Sequence, residues 1–164
     1  EDRFLMGYNL YLFGRPWGGS GRVLSVNGLS AAVVELCLPG KDDNDAALAV
    51  KKLSGENDCV IAVVNSPAVK RSKLKRTASM LVESGADIVL FRNSGPGPAC
   101  EKYRGGLVIY SLGDFITPGT DSEGAICQVI YREDGIESSL VPVVIKNGFP
   151  EEMLRPVKQG YPMR

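Results

Sequence analysis

Apolar residues fall along this chain in short runs with turn-forming residues between them, a rhythm that predicts strands more often than helices. Phe4 to Phe13 is apolar and aromatic with rough alternation and reads as a strand; the stretch Gly14-Arg15-Pro16-Trp17-Gly18-Gly19-Ser20-Gly21 that follows is too rich in Gly and Pro for a regular element. Two apolar runs, Arg22 to Val26 and Leu29 to Leu38, flank Asn27-Gly28, the pair that best tolerates the positive φ of a tight turn, and predict an antiparallel hairpin. Pro39-Gly40 stops it. Asp42, Asp43 and Asp45 then gather where a helix start welcomes negative charge, ahead of an Ala-rich segment reaching Leu53.

Beyond Asp58 the pattern changes. Cys59 to Val64 is continuously apolar, as in a strand buried on both faces. Pro67 opens a predicted helix whose apolar face carries Leu74, Ala78, Leu81 and Val82, while Lys70, Arg71, Lys73, Lys75 and Arg76 crowd its first turns; Gly85 ends it. Ile88 to Phe91 is the next strand, which completes a strand-helix-strand unit. Arg92 to Gly106, with its Gly and Pro breaks, reads as a loop, Leu107 to Leu112 as a strand, and Gly113 to Gly124 as a second loop. Ala125 to Tyr131 and Ile136 to Ile145 pair around Glu133-Asp134-Gly135 as another hairpin. The predicted class is α/β: a mixed sheet with a central βαβ unit and flanking antiparallel hairpins.

Composition narrows the chemistry more than the fold. The 164 residues suit one domain, 1–164, able to bury its own core. Nineteen basic against nineteen acidic residues leave no net charge, so no global field draws the chain to nucleic acid or an anionic membrane. Zero histidines exclude Ser-His-Asp and Cys-His catalysis and any His-ligated metal within these residues. Cys37, Cys59, Cys100 and Cys127 form no C-x-x-C pair; three lie inside apolar runs, which predicts small buried thiols. No run approaches the ~18 to 20 apolar residues of a membrane span, and no signal segment or anchor is legible. A start at Glu1-Asp2 without an initiator Met predicts a piece of a larger protein, and the compartment stays open.

Two segments carry a resemblance: Glu83-Ser84-Gly85-Ala86-Asp87-Ile88-Val89-Leu90, and Gly106-Leu107-Val108-Ile109-Tyr110-Ser111-Leu112-Gly113-Asp114-Phe115. In order and spacing they resemble the C-terminal half of the bacterial poly-γ-glutamate capsule-synthesis (CapA-type) family, a branch of the calcineurin-like metallophosphoesterases. There a helix ends in Gly-Ala-Asp, and a later strand runs into Tyr-Ser-Leu-Gly-Asn-Phe; Asp114 stands in place of the family's Asn. The resemblance spans roughly residues 22–152 and implies part of the metallophosphoesterase α/β sandwich.

The departures bear on function. Where the family has His-Trp-Gly this chain has Asn65-Ser66-Pro67, and where it has Gly-His-His-Pro-His this chain has Phe91-Arg92-Asn93-Ser94-Gly95. The family's early Asp and Asn-x-Glu ligand motifs have no counterpart. Two-metal phosphoester chemistry needs carboxylates and imidazoles to hold ions, so the resemblance combined with this substitution implies a domain without metal, cofactor or catalytic residues. It would act as an accessory or binding module of a larger protein. The alternatives are an enzyme whose site is completed by residues outside this chain, and an appended domain of a biosynthetic ligase.

A surviving site is expected where Asn65 and Ser66, Arg92 to Gly95, and Ser111 to Asp114 converge, because all follow the carboxyl edge at which open α/β sheets bind ligands. Its members would be Asn65, Ser66, Arg92, Asn93, Ser94, Gly95, Ser111 and Asp114. Arg92 makes an anionic small molecule or acidic polymer the natural ligand, against the ordinary alternative that it is a surface ion-pair partner. The ordinary role of Gly113, Asp114 and Phe115 is an irregular, capped turn. Asp58 and Asp87, each preceding a strand, are expected to bond neighbouring backbone. The basic residues of 70–76 read as a solvated helix face, or as a contact for an anionic polymer or protein. Trp17, the only Trp, is a candidate partner-contacting anchor within the Gly-rich segment. A module with half a sandwich calls for a covering domain or a second copy.

Overall fold

Strand β1 (Arg22–Val26) pairs antiparallel with β2 (Leu29–Cys37), Val26 opposite Leu29, and Gly28 takes φ +78° in the turn between them. The computed structural model describes residues 22–26, 28–37, 43–67, 69–92, 97–113, 121–132, 135–147 and 149–152. The strand read at Phe4 to Phe13 and the Trp17 segment lie outside these residues. Helix α1 (Asp43–Ser54) follows, with Lys51 and Lys52 in its last turn where the dipole favours cations.

The apolar run beyond Asp58 becomes β3 (Cys59–Asn65), which enters helix α2 (Arg71–Glu83) and returns as β4 (Ile88–Arg92). Strands β3 and β4 are parallel neighbours, as are β2 and β3. Helix α2 starts four residues later than Pro67 suggests. Lys70 is its N-cap, with extended φ and ψ and no side-chain capping bond, and its carbonyl accepts from the amides of Lys73 and Leu74. The far end is better specified. Gly85, at φ +106°, donates to the Val82 carbonyl and Ala86 to that of Leu81, the paired bonds of a Schellman stop, with Leu81 and Ala86 both buried. The Gly-Ala-Asp motif therefore turns the chain out of α2 and into β4.

A correction concerns the 92–106 segment, expected to be a loop throughout. It contains strand β5 (Pro98–Tyr103), antiparallel to β6 (Gly106–Leu112). Pro98 is tolerated because it is the first residue of a strand at the sheet's edge, and a bulge between Ala99 and Cys100 breaks the alternation that marks a strand. Strand β6 lies parallel to β4, giving a six-stranded sheet in the order β1-β2-β3-β4-β6-β5.

The second sheet holds β7 (Ser122–Arg132), β8 (Gly135–Lys146) and β9 (Phe149–Glu152), all antiparallel. The hairpin around Gly135 forms as read, with longer strands; β9 is additional. The fold is thus α/β, with a mixed six-stranded sheet, two helices and a flanking antiparallel sheet.

Alternation along the central strands divides the core between the large sheet's two faces. On one, Val60, Ala62, Val64, Val89, Phe91 and Val108 pack against Val50 of α1 and Leu74, Ala78 and Leu81 of α2. On the other, Ile88, Leu107 and Ile109 meet Ile136 of β8 and Cys127, Val129 and Tyr131 of β7. Leu81 and Val60 are wholly buried; truncating such a Leu to Ala costs about 2–5 kcal/mol.

Polar bonds set the register of these layers. The Asp58 carboxylate accepts from the amide and hydroxyl of Ser30 at 2.8 Å, joining the starts of β2 and β3. Asp87 accepts from the Val60 amide at 2.8 Å while its own amide donates to the Val60 carbonyl. Between sheets, the Lys102 ammonium donates to the Ile136 carbonyl at 2.9 Å and the Tyr131 hydroxyl donates to that of Asp58. No helix of the described residues is long and apolar enough to cross a membrane.

Candidate functional site

The carboxyl ends of the parallel strands place three of the expected site residues in one row. Register sets Cys37 opposite Asn65 and Asn65 opposite Arg92; carrying the β4–β6 register two residues past Leu90 and Ile109 brings Ser111 beside Arg92. These positions share the parity of Ile61, Leu90 and Ile109, so the row belongs to the face that also meets the second sheet.

Each side chain has a definite local role. Asn65 is half-buried at the end of β3. Ser66 is fully buried, and both its amide and its hydroxyl donate to the Arg92 carbonyl at 3.0 Å, fastening the exits of β3 and β4 together. The Ser111 hydroxyl accepts from the Gly113 amide at 3.0 Å, a local turn bond. Gly113 stands at φ +78° and bridges to Gly124, so close that a Cβ would sit 2.5 Å from the Glu123 carbonyl oxygen. Asn93, Ser94, Gly95, Asp114 and Phe115 lie outside the described residues.

Arg92 is exposed, and its guanidinium lies 4.0 Å from Oε1 of Glu35. Glu35, opposite Val63 on β2, escaped sequence reasoning, although a single carboxylate inside Ala-Ala-Val-Val-Glu-Leu-Cys-Leu was a signal that could have found it. Its Oε1 is buried and accepts no hydrogen bond, because 4.0 Å is an ion-pair distance too long for one. Arg92 and Glu35 therefore form a loose pair across β3. Glu35 Oε1 keeps an acceptor for a further donor.

On the helix side of the same edge, Tyr110 stacks on Phe91 with ring centroids 5.7 Å apart and donates to Glu101 at 2.7 Å. Burial chiefly, then this bond and the Glu101 charge, raise the Tyr110 phenol above its ordinary range, opposed by Arg71, whose charge thus reaches this edge. Tyr110 is a buried neutral donor.

The thiols divide by place. Cys59 is buried and pushed up to about 12 by desolvation, with Asp87 and Asp58 adding to it. Cys100 and Cys127 are half-buried, whereas Cys37, expected among the buried thiols, is exposed where β2 leaves the core. All four are free.

This donor set does not fit a two-metal centre. Asn65 and Ser111 are neutral, Arg92 repels cations, and Glu35 already faces Arg92. Among the described residues no three Cys, Asp or Glu side chains gather to hold a metal ion. The described side chains of this edge can hydrogen-bond a bound group, and among them no nucleophile is paired with a base.

A mixed α/β sheet backed by two helices, with a polar row at the carboxyl edge of its parallel strands, defines an open-sheet α/β protein. Residues 19–118 match the family model described as bacterial capsule synthesis protein PGA_cap, and the chain belongs to that family. The match begins three residues before β1, runs past β6 and ends ahead of the second sheet. No curated protein matches the chain.

Proposed function

We propose that this capsule-synthesis family member is a non-catalytic binding module of a larger protein, taking an anionic group at the edge formed by Asn65, Arg92 and Ser111. The observation that carries the reading is the replacement of the family's imidazole positions by Asn65-Ser66-Pro67 and Arg92-Asn93-Ser94-Gly95 in a chain with no histidine. A guanidinium at that edge favours a carboxylate or phosphate and disfavours a cation. An acidic small molecule or one unit of an acidic polymer fits this chemistry.

Calorimetry with a glutamyl oligomer and with a phosphate ester tests the reading. Arg92→Ala should weaken binding by ~1–3 kcal/mol with little change in melting temperature. Glu35→Gln, which removes the negative charge 4.0 Å from the Arg92 guanidinium, should strengthen it. Native protein that binds neither probe would overturn the anion site. Elemental analysis of chelator-free protein finding about one transition metal per chain would overturn the non-catalytic half of the proposal.

A further inference from the structure

Cys100 and Cys127 belong to different sheets and to the same stretch of core. In β5, Cys100 pairs with Ile109, so its side chain shares the face of Ile109 that looks toward the second sheet. In β7, Cys127 packs from the opposite side against the cluster of Ile88, Leu107, Ile109 and Ile136 that Cys100 also touches. Two residues along β5 from Cys100, the Lys102 ammonium reaches the Ile136 carbonyl of β8, so the strand carrying Cys100 already lies against the second sheet. Facing sheets interdigitate their side chains, β-sandwiches carry inter-sheet disulfides between facing strands, and Cys100 is near enough to Cys127 to act on its thiol.

We infer that Cys100 and Cys127 are the partners of an inter-sheet disulfide, formed when the chain folds in the presence of a disulfide oxidant. In the reaction, the thiolate of one cysteine attacks the oxidant's disulfide, forming a mixed disulfide and releasing one small thiol. The second cysteine, losing its proton, then attacks the protein sulfur and releases the other. Two protein thiols are oxidised, one external disulfide is reduced to two thiols, and the electrons balance.

The surroundings specify when this occurs. Burial raises both thiols, Cys127 to about 11 with the neighbouring Cys100 adding to the rise, so in the folded reduced protein little thiolate is present near neutral pH. The bond therefore forms during folding, while the sulfurs are wet, and in the folded protein it packs against the cluster of Leu107, Ile109 and Ile136. It would join the large sheet's β5 edge to the second sheet and leave Cys37 and Cys59 as thiols.

The test is refolding of the chain from denaturant in a reduced and oxidised glutathione buffer, followed by alkylation in denaturant and peptide mapping by mass spectrometry. The expected result is one cross-linked peptide pair containing Cys100 and Cys127, Cys37 and Cys59 alkylated, and a melting temperature that reduction lowers by roughly 5–10 °C. A Cys100→Ser/Cys127→Ser double variant should show no such dependence on reductant. Alkylation of both Cys100 and Cys127 after refolding, or cross-links to Cys37 or Cys59 in their place, would overturn the assignment. The mapping uses the native sequence, so it decides the matter even if the double variant folds poorly.

Discussion

At the scale of single residues, two glycines with the same backbone angle separate conformational need from space. Gly28 and Gly113 both stand at φ +78°, but a Cβ on Gly28 meets nothing within 4 Å whereas one on Gly113 would lie 2.5 Å from the Glu123 carbonyl oxygen. Gly28→Ala should cost only the left-handed penalty, about 1 kcal/mol, and Gly113→Ala at least ~2 kcal/mol, since backbone on the facing strand must also move. Urea midpoints of the two variants would compare them; equal losses would show that the Gly113–Gly124 approach is not tight. Asp87 gives a second residue-scale expectation. Burial raises its pKa above the ordinary 3.8, against the opposing bond from Val60. A raised folded pKa means that stability present below pH 3.8 is lost as pH climbs through the folded value. Asp87→Asn keeps an acceptor for the Val60 amide and does not titrate, so the stability difference should shift in the variant's favour between about pH 3.5 and pH 7. Denaturant titrations at both ends check the sign; a difference that does not change with pH would show Asp87 to be unperturbed.

Among the elements, legibility in the sequence followed periodicity. Strands β3, β4 and β6 were visible because burial on both faces leaves uninterrupted apolar runs such as Cys59 to Val64, and the β1–β2 hairpin because a turn residue with positive φ separates two such runs. Strand β5 was not, since an edge strand with one solvent side, a leading Pro98 and a bulge at Ala99/Cys100 carries no clean alternation. For the site, residue types at the sheet edge were readable, but the Glu35–Arg92 pair was not, because it joins positions 57 residues apart through a register that only the assembled sheet defines. Helix α2 remains the element least matched to its own stability. Its N-cap is a lysine without a capping bond, its first turn has no acidic residue, and Arg71 and Lys75 repel at i, i+4. Lys70→Asp should supply the missing cap and a favourable charge at the positive end of the dipole, raising stability by about 1 kcal/mol. A thermal melt reads this directly, and an unchanged or lower midpoint would mean that Lys70 has a stabilising partner which outweighs the cap.

In the whole molecule, the question is what holds the second sheet on the first. The shared apolar cluster is modest, and polar contacts across it include Lys102 to Ile136 from β5, Tyr131 to Asp58 at the start of β3, and the Gly113–Gly124 bridge beyond β6. Tyr131 is held above its ordinary pKa of 10.0, first by burial and then by the charges of Asp87, Cys59 and Asp58, so it remains a donor at any physiological pH. A phenol whose folded pKa is raised contributes stability that is complete below pH 10 and disappears as pH rises through the folded value. Removing the hydroxyl in Tyr131→Phe should cost roughly 0.5–1.5 kcal/mol near neutral pH, the net worth of one hydrogen bond whose acceptor stays near water. The same variant should abolish the part of the alkaline stability loss that belongs to this phenol, so native and variant curves should converge above pH 10. If the bond orders the docking of the two sheets, hydrogen exchange at neutral pH should quicken in β7 and β8 and stay slow in β3 and β4. Uniform acceleration through both sheets would instead show that they open as one cooperative unit, with the Tyr131–Asp58 bond contributing to global stability alone.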